Sequence, residues 1–179
     1  MVKRETKSTD LDRPWEEMVQ AVIQKYPNPH SKTARVSDIL SRSINAEGHV
    51  VTERYSGNKF PVPSIINSTF YKFTGIRFPE LAFSYEYSVL DRDNKVLTQY
   101  SKNYTMGSFL NFVEVIEYRP NSEGNTSMMV QSWNVQTMIN SWIDGWFENQ
   151  FLGICKKNAV DGINGTVIYS VFNFFFNSY

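Results

Sequence analysis

Apolar residues recur at helical spacing at Trp15, Met18, Val19, Val22, Ile23 and Tyr26, the three-and-four pattern of a helix with one buried face. Asp12 and Pro14 stand where a cap and a first-turn proline belong, and Glu16 and Glu17 fall in the first turn, where the helix dipole favours acidic groups. Pro27 and Pro29 stop this helix at Tyr26. The period then changes to two. Val36, Asp38, Leu40, Arg42 and Ile44 alternate with their neighbours, Asn45-Ala46-Glu47-Gly48 makes a turn, and Val50 to Tyr55 returns. Leu81, Phe83, Tyr85, Tyr87 and Val89 give the cleanest alternation in the chain. Asp91-Arg92-Asp93-Asn94 turns that strand into Val96 to Tyr104. Phe109 to Tyr118, the turn Asn121-Ser122-Glu123-Gly124 and Met128 to Val135 follow. Turns this short predict a meander of antiparallel strands in one sheet.

The chain ends in a second helical pattern, with Met138, Ile139, Trp142, Ile143, Trp146, Phe147, Phe151, Ile154 and Cys155 on one face. A helix of ~20 residues reaches ~30 Å, enough to cross a sheet. Gly162 and Gly165 predict a bend or break in its second half. This helix and the first are expected on the same face of the sheet. The stretch from Gly57 to Glu80 fits neither period. It contains Phe60, Ile65, Ile66, Phe70 and Phe73 and is too apolar for disorder. It is either a short core helix with flanking turns or a mobile lid from Asn58 to Glu80 whose aromatics cover an apolar cavity or touch a membrane.

The totals sharpen this picture. Aromatic residues make up 15% of the 179-residue chain, a high share that suits either a thick core, the commoner case, or an apolar hollow. Eighteen basic residues balance eighteen acidic ones, so nothing marks a nucleic-acid footprint. Cys155 is the one cysteine, and with His30 and His49 alone beside it neither a disulfide nor a zinc site can be assembled. No signal peptide or Arg-rich presequence is legible at Met1 to Thr6, and the apolar run Thr166 to Phe176 is too short to span a bilayer. The sequons at Asn67, Asn103, Asn125 and Asn164 carry little meaning without a secretory signal. No nucleophile elbow, metal-binding helix, phosphate loop or dinucleotide fingerprint occurs. The chain reads as a non-enzyme without cofactor or metal. A triad or metal constellation, or a meeting in space of carboxylates such as Glu16, Asp38, Glu53 and Glu114, would revive catalysis.

Pro14-Trp15-Glu16, then Gln24-Lys25-Tyr26-Pro27-Asn28-Pro29, resembles the opening of the PRELI/slowmo family. The resemblance continues through Asp38-Ile39-Leu40-Ser41-Arg42-Ser43-Ile44, Gly48, Arg54, Pro63-Ser64-Ile65, Asp91, Glu114 and Tyr118-Arg119-Pro120. It spans most of the chain and favours the slowmo-like branch. It implies one lipid-transfer domain over residues 1–175, with an α+β fold: a curved antiparallel sheet of about seven strands, its concave face closed by helices over a lipid cavity, as in START and phosphatidylinositol-transfer proteins. It also implies transfer of phosphatidylserine between mitochondrial membranes across the intermembrane space. Phosphatidic acid transfer, or a regulatory scaffold that keeps the fold but moves no lipid, is the alternative. The implied partners are a small, disulfide-stapled helical protein of that compartment and, transiently, a membrane surface; the bound phospholipid is cargo.

By the same resemblance Lys25, Lys156 and Asn158 contact the lipid headgroup, and from segment length, aromatic content and helical spacing Phe60, Ile65, Ile66, Phe70, Phe73, Trp142 and Trp146 are expected in the lid and cavity wall. Three departures from the family pattern bear on this. Thr33 and Ile154 stand where some phosphatidic-acid carriers have basic residues, which lowers the positive charge offered to a bare phosphate. Asp161-Gly162 and Phe174-Phe175-Phe176 replace the usual basic helix end.

Overall fold

The computed structural model describes residues 2–24, 34–59, 62–122, 124–139, 142, 144–157 and 159. β1 (Lys3–Leu11) leads into α1 (Trp15–Gln24), followed by β2 (Ala34–Ile44), β3 (Val50–Lys59), α2 (Ser64–Thr74), β4 (Leu81–Asp91), β5 (Val96–Asn103), β6 (Leu110–Pro120) and β7 (Ser127–Thr137). A last helix, α3, runs over residues 144–157. The strands form one curved antiparallel sheet in the order β1-β7-β6-β5-β4-β3-β2. The meander expected from the turns is present from β2 to β7. At its corners the Asn45 side chain accepts the His49 amide at 2.8 Å, and Gly48 and Gly124 supply positive φ. The Asp91 carboxylate accepts the Asn94 amide at 2.9 Å; the Asn94 hydrogen bonds, side chain first, hold its pKa below the usual value.

β1 is absent from the sequence reading, for a physical reason. Its nine residues, KRETKSTDL, carry one apolar side chain, Leu11. It pairs with β7 at the sheet edge, where charged residues are favoured because they discourage pairing with other chains. Since β1 and β2 lie at opposite edges, the connection containing α1 carries the chain across the sheet. α1 begins at Trp15, with the Pro14 carbonyl accepting its first helical bond from Met18 at 3.1 Å. The proline thus sits at the cap rather than in the first turn. The expected stop at Tyr26, the bend near Gly162 and Gly165, and Phe174 to Phe176 lie outside the described residues.

Both helical patterns pack on the same face of the sheet. In β6 and β7 that inner face carries Leu110, Phe112, Glu114, Ile116 and Tyr118 opposite Thr137, Val135, Trp133, Gln131 and Met129. One apolar cluster joins Trp15, Met18, Val19 and Val22 of α1 to Leu11, Leu90, Leu97, Tyr118 and Met129. The Trp15 indole also donates to the Tyr118 carbonyl at 3.0 Å. A second cluster, at the other end of the strands, joins Ile66 and Phe70 of α2 and Phe147, Phe151, Leu152 and Cys155 of α3 to Leu110, Trp133 and Val135. α3 starts later than the apolar run suggested. Met138 still follows the strand, its amide donating to the Phe109 carbonyl at 2.9 Å.

The stretch between β3 and β4 contains a short helix anchored in the core. Phe70 is fully buried, its ring 4.6 Å from that of Phe147, 4.9 Å from Phe78 and 5.3 Å from Phe109. Ile65, on the other side of α2, is 74% exposed. Phe70→Ala is therefore expected to lower unfolding free energy by about 3–5 kcal/mol, and Ile65→Ala by less than about 0.5 kcal/mol, both measured by urea denaturation. Equal losses would show that α2 is not held by its aromatic anchor.

Candidate functional site

The two apolar clusters leave a gap on the inner face, and the sheet fills it with polar side chains. Strand pairing sets Gln131 beside Ile116 and Trp133 beside Glu114, Glu114 beside Ser101, Ser101 beside Glu86, and Glu86 beside Arg54. A polar belt thus crosses β7, β6, β5, β4 and β3. Arg54, Ser56, Gln99 and Gln131 are all buried in it. A sheet built only to hold helices would be apolar here, because buried polar groups are costly unless hydrogen-bonded.

The belt is organised around two carboxylates. Arg54 Nη1 donates to Glu86 Oε1 at 3.2 Å, and Gln99 Nε2 donates to the same oxygen at 3.3 Å. Arg54 Nη2 donates to the Ile23 carbonyl at 3.4 Å, which ties the last turn of α1 to the floor. On the neighbouring strands Gln131 Nε2 and Trp133 Nε1 each donate to Glu114 Oε1 at 2.7 Å. Between the carboxylates lies a cavity of about 110 Å³, lined by Ser56, Asn58, Ser84, Glu86, Gln99, Ser101, Glu114 and Ile116. Two atoms of its walls, Ser56 Oγ and Gln99 Oε1, are buried without a hydrogen-bond partner among the described residues. This volume holds a small polar group or a few waters, and is well below the roughly 300–1,000 Å³ of ordinary ligand pockets.

Glu16, Asp38, Glu53 and Glu114 do not come together. Glu16 bonds Lys95 at 2.7 Å on the surface, which lowers its pKa. Asp38 is exposed, and Glu53 lies on the outer face, where it adds to the desolvation that raises the Tyr85 pKa. Only Glu114 reaches the belt, and its companion there is Glu86. Glu148 of α3 is a further buried carboxylate, accepting the Thr137 amide at 2.9 Å. Burial, and secondarily Glu114, pushes the Cys155 thiol well above its usual pKa. Among the described residues no group of three or more potential ligands could hold a metal ion, and no helix is long and apolar enough to cross a membrane.

The residues anticipated for lipid contact fall into three groups. Lys25, Asn158 and Phe60 lie outside the described residues, as does Thr33. Ile66 and Phe70 are core anchors, and Lys156 is paired with Glu5 of β1. Ile65, Phe73, Trp142 and Trp146 stand at the surface. Trp142 is 83% exposed and meets Phe73 edge-on at 5.4 Å. Glu86, Gln99, Ser56, Ser84 and Ser101 escaped the sequence reading. The available signal was in β4, where Ser84, Glu86 and Ser88 alternate with Phe83, Tyr85 and Tyr87 in a strand paired on both sides. The aromatic face of that alternation points away from the helices, with Tyr55 and Phe83 stacked at 5.2 Å. Phe83 lies so close over Gly57 that a Cβ there would come within 2.6 Å of its ring.

The fold is shared with proteins of distant sequence. The crystal structure of Zhui aromatase/cyclase from Streptomyces sp. R1128 superposes with a TM-score of 0.60 at 10% identity, covering 97% of this chain and 96% of that one. TTHA0849 from Thermus thermophilus superposes with a TM-score of 0.62 at 11% identity, covering 94% and 97%. At such identities the likeness is one of fold alone. In sequence, the chain is 31% identical over 162 residues to Protein UPS2, mitochondrial, of Saccharomyces cerevisiae, covering 86% of this chain and 67% of that protein. It is 25% identical over 125 residues to PRELI domain-containing protein 1, mitochondrial, of Gallus gallus, covering 69% and 56%. With the Bos taurus protein of the same name it shares 24% over 135 residues, covering 74% and 60%. The chain thus spans about two thirds or less of the length of these relatives. The PRELI-like family model matches residues 16–169, from the first turn of α1 through all the strands from β2 to β7 and α3, and the chain belongs to the PRELI-like family.

Proposed function

We propose that this protein carries single phospholipid molecules between mitochondrial membranes across the intermembrane space, with phosphatidylserine its cargo, and that it catalyses no reaction. The observation that carries this reading is the polar belt buried beneath helices on an otherwise apolar inner face. A phospholipid has that division of character: each methylene kept from water contributes ~0.8 kcal/mol, while its headgroup must keep hydrogen-bond partners. The headgroup faces the sheet floor and the acyl chains lie on the helix side of the belt. The relatives' names support a mitochondrial setting, and membership of the family supports lipid transfer. A small disulfide-stapled helical protein of the same compartment serves as stabilising partner. Lys25, Lys156 and Asn158 contact the lipid headgroup. The exposed pair Phe73 and Trp142, with Ile65 and Trp146, forms the transient membrane contact.

One observation favours a second reading, a scaffold that moves no lipid. Phe70, Phe78, Phe109, Phe147 and Phe151 already fill the space under α2 and α3 with ring centroids 4.6–6.3 Å apart. Transfer of fluorescent phosphatidylserine between vesicles separates the two. A carrier accelerates it in proportion to protein added, and a scaffold leaves the spontaneous rate unchanged.

In the same assay Lys25→Glu sets a like charge against the phosphate and is expected to slow transfer at least tenfold, a change of ~1.4 kcal/mol, with circular dichroism unaltered. Transfer at the parent rate would place the headgroup elsewhere. The double change Phe73→Ser, Trp142→Ser removes apolar surface that is already exposed. It should leave thermal stability within about 0.5 kcal/mol of the parent while cutting vesicle-to-vesicle transfer several-fold. Transfer unchanged in a folded double variant would mean that another surface meets the membrane.

A further inference from the structure

We infer that α3 is a hinged cover, pinned to the sheet at Glu148 and latched to β1 through Lys3 and Glu5, and that cargo enters when this latch opens. The inference rests on the carrier reading and adds to it the route by which acyl chains reach the inner face.

Among the described residues the closed form leaves acyl chains little room. The rings of Phe70, Phe78, Phe109, Phe147 and Phe151 fill the space under α2 and α3. The polar cavity of about 110 Å³ is a fraction of the roughly 300–1,000 Å³ of ordinary ligand pockets. A helix must therefore move to admit a lipid.

The two ends of α3 are held in physically different ways, and the difference shows which one yields. Near the start, Glu148 is 1% exposed, and its Oε1 accepts the Thr137 amide at 2.9 Å and the Thr137 hydroxyl at 3.2 Å at the end of β7. Breaking this tie strands a buried carboxylate, so that end stays in place. The rest of the helix is tied along β1. Lys3 and Glu5 are alternate residues opposite Val135 and Trp133, so both face inward. Asn149 and Lys156 lie about two helical turns apart, on one flank of α3. Lys3 Nζ donates to Asn149 Oδ1 at 2.6 Å, and Lys156 pairs with Glu5. The Lys156 and Glu5 side chains are 47% and 37% exposed, so water replaces either partner at small cost and salt screens the pair.

A swing about Glu148 lifts Phe151, Leu152 and Cys155 from the inner face. Acyl chains entering at the β1 edge take over the apolar contacts that these side chains give up, which offsets their exposure. Opening also frees the Lys156 ammonium, the group given a headgroup role above. Glu5 then acts as a stand-in for the lipid phosphate in empty protein. Two anions compete for one cation, so headgroup binding and release of the latch favour each other.

The test is the rate at which the purified full chain extracts fluorescent phosphatidylserine from vesicles, with circular dichroism as the folding control. In a Cys155→Ala background, Glu5→Cys and Lys156→Cys place two thiols that a short bismaleimide bridges. The bridged protein is expected to load roughly tenfold or more slowly than the same protein before bridging, as for a lid held shut. The effects of the three substitutions themselves cancel in that comparison. Lys3→Thr with Glu5→Thr keeps strand-favouring residues in β1 but removes both ties. It should load several-fold faster than the parent, the scale of two exposed polar contacts. The two arms are independent, so failure of one variant to fold leaves the other decisive. Equal loading before and after bridging, or a folded threonine variant that loads no faster than the parent, overturns the latch and leaves the carrier reading intact. A parent that extracts no lipid overturns both.

Discussion

Arg54 lies under the helices on the floor of the sheet, and the penalty for burying a charge without partners, several kcal/mol, governs what surrounds it. Glu86 answers it from the next strand, Gln99 braces Glu86 from the strand beyond, and the Ile23 carbonyl takes another of its donors. One guanidinium therefore ties β3, β4 and the end of α1 into a unit that holds only while the charges remain matched. The second carboxylate, Glu114, is held by Gln131 and the Trp133 indole. Trp133 itself is fully buried in the apolar cluster under α3. The polar belt is thus bolted at both ends to the hydrophobic packing on either side of it.

This arrangement divides the labour between the two kinds of surface. The cluster around Trp15 and Tyr118 holds α1, and the cluster around Phe70 and Phe147 holds α2 and α3, each by non-directional burial. Between them, directional bonds set the geometry of a small polar chamber. Stability resides mainly in the clusters and fixed geometry in the belt, so substitutions in the two regions should differ in kind. The outer face offers a contrast. Its aromatics, including stacked Tyr55 and Phe83 over Gly57, stiffen the sheet from behind without entering the chamber.

The helices and the meander were legible in the sequence because their signals come from packing. Trp15, Met18, Val19 and Val22 recur every three or four residues and are the residues that the sheet covers. β1 was not legible, because an edge strand with only Leu11 buried has almost no apolar pattern to display. The belt was hidden for a different reason. In β4 the apolar alternation of Phe83, Tyr85 and Tyr87 belongs to the outer face, so Ser84 and Glu86 read as solvent positions although they face the helices. A period of two reports that a strand has two unlike faces, and does not report which of them is inside. At the last helix, Trp142 and Trp146 shared the apolar run with Phe147 and Phe151, but only the latter two enter the core. The family motif located Arg54 and Glu114 without indicating that they would lie on one floor.

In the proposed function a phospholipid enters with its headgroup against this floor. The Trp133 indole N–H, bonded to Glu114, is a reporter fixed at that spot. The most direct measurement is its NMR resonance in protein loaded with phosphatidylserine carrying a nitroxide, either on the headgroup or at the end of an acyl chain. The account predicts strong broadening of the Trp133 indole signal by the headgroup label and weak broadening by the chain-end label. The reverse order, or an indole signal untouched by both labels in lipid-loaded protein, would contradict it.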